Sequence, residues 1–138
     1  MADLKDKTIL IVDDDPDVVA AITMSLTDQG AKVFQAVDGA QAVDMANKEK
    51  PDLVILDMML PKRSGFLVLE RIKGFEDAPL VIMVTANEGK RHHSYAESLG
   101  VDAYLLKPVP LEALITTCVD LLEKEAAEDD AAESEPRR

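Results

Sequence analysis

TILIVDDDPDV, Thr8 to Val18, decides the fold and points at the site in one stretch. Its first half is an apolar, β-branched run; its second half opens on three adjacent carboxylates, Asp13, Asp14 and Asp15. A run that is continuously apolar, rather than alternating, suits a strand covered on both faces. Four further runs follow: KVFQAV (32–37), DLVIL (52–56), LVIMV (80–84) and DAYLL (102–106). Between them the apolar residues fall at helical spacing. Val18, Ile22 and Leu26 share one face, with Asp15 as N-cap, Pro16 at the first helical position and Gly30 at the C-cap. Ala42, Val43 and Ala46 mark a second helix, and Phe66, Leu69 and Ile72 a third that stops at Gly74. A polar fourth helix occupies 88–99 and ends at Gly100, and Leu111, Leu114, Ile115, Val119 and Leu122 stripe a fifth. Strand and helix alternate five times, which predicts the α/β class with a parallel sheet.

The 138 residues suffice for one domain with a real core, and 47% hydrophobic with 30% charged residues is a globular composition. The net charge of −12 argues against nonspecific nucleic-acid binding, and the absence of Trp removes the best base-stacking side chain. Residues 123–138 hold seven acids and three bases, so most of the negative charge belongs to residues 1–122. That low-complexity segment is expected to extend the last helix briefly and then stay disordered or act as a linker. The single cysteine, Cys118, excludes an internal disulfide framework and is expected as a small core residue, compatible with a reducing cytoplasm. MADLKDK lacks the apolar core of a signal peptide, and no apolar run has the length of a membrane span.

In an open parallel sheet, ligands bind beyond the carboxyl ends of the strands. The first strand there delivers Asp13 and Asp14, the third Asp57, the fourth Thr85 and the fifth Lys107. Asp15 is accounted for as a helix cap. Adjacent carboxylates repel unless something offsets the cost, and Asp13, Asp14 and Asp57 together offer Mg²⁺ the hard oxygens it prefers. Asp57 could then act as a carboxylate nucleophile toward a phosphoryl group, with Lys107 and the Thr85 hydroxyl neutralising its other oxygens.

VDD after strand one, Asp57 after strand three, Thr85–Ala86, Lys107–Pro108 and Tyr104 three residues before the lysine stand in one order. On those residues the chain resembles the receiver domain of a bacterial two-component response regulator over roughly residues 7–122. The resemblance implies a flavodoxin-like (βα)5 fold with strand order 2-1-3-4-5, a receiver domain at 1–122 and a tail at 123–138. It implies that Asp57 is the phosphoacceptor, that Asp14 and Asp57 bind Mg²⁺ directly, that Asp13 acts mainly through water and that the main-chain carbonyl of Met59 completes the set. It implies a cis Lys107–Pro108 bond, and a switch in which Thr85 moves toward the phosphoryl group and the Tyr104 ring turns inward. It implies as donor a sensor histidine kinase or phosphotransfer protein, and as output a protein bound by the face of helix four, strand five and helix five. The module is expected to be cytoplasmic and a phosphoacceptor rather than an enzyme, with no contact to membrane or nucleic acid of its own.

The loop MMLPKRSGF departs from the family's usual segment, with Lys62, Arg63 and Ser64 in place of its common residues. Met59 and Asn87 hold the two positions that tune acyl-phosphate hydrolysis in the family, and an apolar Met59 implies a slow one. His92 and His93 are adjacent in a helix and do not face each other, so they read as surface residues rather than a metal pair. Lys90, Arg91, Lys62 and Arg63 read as a solvated face. The rival enzyme reading is a haloacid-dehalogenase-like phosphatase with DDD as its nucleophile motif; it leaves Asp57 without a role and lacks a later acidic strand end. A silent receiver acting only as an interaction module is the other rival, and every side chain the chemistry needs is present.

Overall fold

The computed structural model describes residues 3–60, 64–86 and 89–134, the side chains of 130–134 excepted. In chain order the elements are β1 (Thr8–Val12), α1 (Pro16–Asp28), β2 (Lys32–Ala36), α2 (Gly39–Glu49), β3 (Leu53–Asp57), α3 (Gly65–Lys73), β4 (Leu80–Thr85), α4 (Lys90–Ser98), β5 (Ala103–Leu106) and α5 (Leu111–Ser134). The strands form one parallel sheet of order β2-β1-β3-β4-β5, as the sequence leads one to expect. The order reverses between β1 and β3, so the crevice of the fold lies where those two strands end.

Both faces of the sheet are covered, which is why the strands are apolar throughout. On one face Ile9, Ile11, Leu53 and Ile82 pack with Val19, Ile22 and Leu26 of α1 and Leu114, Cys118 and Leu122 of α5. On the other, Leu10, Val12, Val54, Leu56 and Met83 pack with Ala42 and Ala46 of α2, Val68, Leu69 and Ile72 of α3 and Ala96 of α4. Each fully buried Ile, Leu or Val contributes about 1.5–3 kcal/mol. Cys118 belongs to this core, and burial pushes its thiol up to about 12.

Local signals set the helix ends. Asp15 caps α1: its Oδ1 accepts from the backbone N–H of Asp17 (3.0 Å) and Val18 (3.4 Å), and Pro16 begins the helix. Gly30, just past the end, takes φ 95°. Asp38 caps α2 by accepting from Gln41 N–H at 2.8 Å. Helix α5 differs from expectation: it continues beyond Leu122 to Ser134. Residues 123–134 are rich in Ala and Glu, both good helix formers, and need only extend a helix whose start is already anchored in the core. Among the described residues no helix is long and apolar enough to cross a membrane.

Candidate active site

The register of the sheet brings the site together. Val12 of β1 lies opposite Leu56 of β3, so Asp13 and Asp57, next along each strand, leave the sheet side by side. Asp57 pairs with Val84 of β4, and Thr85 pairs with Leu106 of β5, so Lys107 follows one residue beyond. Lys107 N–H donates to the Thr85 carbonyl at 2.8 Å, and the Lys107–Pro108 peptide is cis.

Asp13 and Asp57 are 5% and 6% exposed and Thr85 is fully buried, whereas Asp14 faces solvent. One carboxylate oxygen from each of Asp13, Asp14 and Asp57 lies within 4.8 Å of the others. The Lys107 ammonium donates to Asp57 Oδ2 at 3.2 Å and to Asp13 Oδ2 at 3.4 Å. Two backbone amides fix the remaining oxygens: Asp15 N–H donates to Asp13 Oδ1 (2.9 Å) and Met59 N–H to Asp57 Oδ1 (3.0 Å).

Burial raises the Asp57 carboxyl above its usual value; the Met59 N–H and Lys107 lower it, and the neighbouring Asp13 raises it again. Burial by itself would lower Lys107, but Asp57 and Asp13 hold the ammonium above its usual range. Among the described residues, three carboxylates face one ammonium, a net negative cluster of hard oxygens. That donor set suits Mg²⁺, which takes carboxylates and keeps several waters.

The approach of α3 shapes the floor. Gly65 N–H donates to the Met58 carbonyl at 2.8 Å, and a Cβ at Gly65 would stand 2.5 Å from Met58 Cα and 2.7 Å from the Asp57 carbonyl oxygen. Only glycine allows the loop after β3 to fold back this closely. Met58 is buried, whereas Met59 is 69% exposed. Lys62, Arg63 and Asn87 lie outside the described residues.

Every site residue read from the sequence that is described stands at this end of the sheet; Tyr104 sits farther back, inside β5 and partly exposed. The two histidines do diverge, but neither is merely solvated. His92 stacks on Phe66 of α3, and His93 stacks on Tyr104. Nothing in the local sequence around His93 signals that contact, because it arises from where α4 lies across β5. Gly65 stands in the loop MMLPKRSGF, but the close backbone contact that requires it shows only in the fold.

A family model described as the response regulator receiver domain matches residues 9–119. Response regulator MprA of Mycobacterium tuberculosis is 36% identical over 126 residues, covering 91% of this chain and 54% of that protein. The chain spans about half the length of the curated relatives it matches. Among solved structures, a CheY-like response regulator receiver domain protein from Methanospirillum hungatei superposes with a TM-score of 0.85 at 28% identity, covering 88% of this chain and 98% of that one. The signal receiver domain of a Luxo repressor protein from Vibrio parahaemolyticus gives 0.82 at 28% identity, covering 94% and 98%.

Proposed function

The chain belongs to the response regulator receiver domain family, and on that premise we propose that Asp57 accepts the phosphoryl group in a two-component phosphorelay. The observation that carries this reading is the setting of Asp57: a buried carboxylate with the Lys107 ammonium at 3.2 Å and two further carboxylates beside it. In the reaction an Asp57 carboxylate oxygen attacks phosphorus, the bond from phosphorus to the donor's imidazole nitrogen breaks, and that nitrogen leaves with the bonding pair. Such transfers depend on positioning and charge neutralisation more than on acid or base groups. Met59 N–H orients Asp57, Lys107 neutralises a phosphoryl oxygen, and the Thr85 hydroxyl donates to another. Asp14, Asp57, Asp13 through water and the Met59 carbonyl would hold Mg²⁺, which supplies charge neutralisation when bound.

The donor in this reading is a phosphohistidine of a sensor kinase or phosphotransfer protein in the cytoplasm, and the chain acts as acceptor rather than as an enzyme turning over a separate substrate. Phosphorylation draws Thr85 inward and lets Tyr104 turn, which repacks the face of α4, β5 and α5 for a downstream protein. Residues 1–122 form the receiver unit, and 123–138 an acidic tail or linker that is helical as far as Ser134. The test is intact mass after incubation with acetyl phosphate. One added phosphoryl group is expected with Mg²⁺ and none without it, and none on Asp57→Asn; an adduct that survives in Asp57→Asn would refute the assignment.

A further inference from the structure

Helix α4 is thinly anchored. Ala96 is its one buried residue, and its N-cap, Gly89, offers no side-chain cap bond. Its first turn is held by two rings that reach opposite neighbours. His92 lies parallel to Phe66 of α3, with ring centroids 5.7 Å apart. His93 lies on Tyr104 of β5, with centroids 4.5 Å apart and planes 10° from parallel. One turn on, Glu97 Oε1 is 3.0 Å from His93 Nε2 and fixes the imidazole in that plane.

We propose that His93 is the positioning residue for Tyr104: its imidazole, steadied by Glu97, holds the tyrosine ring against α4 and favours the resting state of the switch. The inference rests on the reading of Tyr104 as a switch given above. Parallel rings at this separation attract through dispersion and complementary charge distribution. Side-chain wells about χ1 are roughly 120° apart, so a tyrosine that changes well leaves the imidazole face. The stack is therefore lost when the ring turns inward, and what stabilises only the resting state opposes the phosphorylated one. By linkage, removing it strengthens binding of a phosphoryl mimic by the same factor that it frees the ring. A stack that served only to anchor α4 would affect thermal stability and leave that affinity alone.

The full chain has two tyrosines, Tyr95 and Tyr104, so 3-fluorotyrosine labelling gives two fluorine signals, assigned with Tyr95→Phe. Beryllofluoride with Mg²⁺ is titrated while the Tyr104 signal is followed. His93→Ala is expected to lower the beryllofluoride midpoint roughly two- to tenfold, the worth of one aromatic pair, and to move the resting Tyr104 signal toward its bound position. His93→Phe keeps a ring without the Glu97 contact and is expected to restore most of both. An unchanged or raised midpoint in His93→Ala, with the resting signal unmoved, overturns the proposal. If beryllofluoride leaves Tyr104 unmoved in the parent chain while Asp57 still takes up a phosphoryl group, the switch role fails and the receiver reading stands. If there is no adduct either, both fall.

Discussion

Asp57 stands where a carboxylate charge is costly, buried beside a second carboxylate. Burial is the largest influence raising its carboxyl, and the neighbouring Asp13 adds to it against the pull of the Met59 N–H and Lys107. A carboxyl whose pKa is raised by folding holds its proton more tightly folded than unfolded, so this group's contribution to stability falls as pH rises through the folded value. An ionised Asp57 therefore works against the fold. Asp57→Asn removes the charge at nearly constant volume and leaves Asp13 to pair with Lys107. The expected result is a melting temperature a few degrees higher at pH 7, a gain that shrinks as pH falls toward the ordinary carboxylate value of 3.8. Melts across that range check it, and a lower melting temperature at pH 7 would mean the Lys107 pair outweighs the burial. The place of Asp57 at a strand end could be read from the sequence, because strand ends in this class of sheet gather at one crevice; the size of its burden depends on neighbours ordered only by folding.

At Gly65, where α3 begins, the chain makes a tight demand on one residue. A methyl group at Gly65 would meet Met58 Cα and the Asp57 carbonyl, both backbone atoms that cannot swing aside. Gly65→Ala is expected to destabilise the chain by about 1–3 kcal/mol in urea unfolding and, because the displaced atoms flank Asp57, to slow phosphoryl uptake from acetyl phosphate as well. Full stability with unaltered uptake would count against this account. All five strands and five helices were legible as apolar runs and helical stripes, but their edges were less so. Asp52 and Asp102, read as strand residues, lie just outside β3 and β5. They cap the opposite end of the sheet, with Asp52 Oδ2 accepting from Thr8 N–H and Asp102 Oδ2 from Val81 N–H, both at 2.8 Å. Asp102 also takes the Lys73 ammonium at 2.8 Å. Such pairing between distant segments leaves no trace in local periodicity, and the helical run past Leu122, though written in alanine and glutamate, goes well beyond the brief extension expected before a disordered tail or linker.

Across the whole molecule, the acidic site joins the ends of the two strands between which the sheet order reverses. A cation held there by Asp13, Asp14 and Asp57 would tie β1 to β3 and so act on global stability. At about a hundred times its dissociation constant, Mg²⁺ is expected to raise the unfolding free energy by about 2.7 kcal/mol, and Asp14→Asn to remove most of that gain. Calorimetry with and without Mg²⁺ decides it; equal melting temperatures in the two would remove the cation from the site. The convergence of strand ends was visible in the sequence, since only the strand count and the parallel class were needed. The contact between His93 and Tyr104 was not, because it depends on how a polar helix is laid over an edge strand. Cys118 has a practical use of another kind. Its thiol is fully buried and pushed up to about 12, so maleimide and haloacetamide dyes have nothing to react with while the chain stays folded. A cysteine placed anywhere on the surface can therefore be labelled selectively against the native background, and distance probes can be set on α4 or the acidic helix with no need to delete a core residue first.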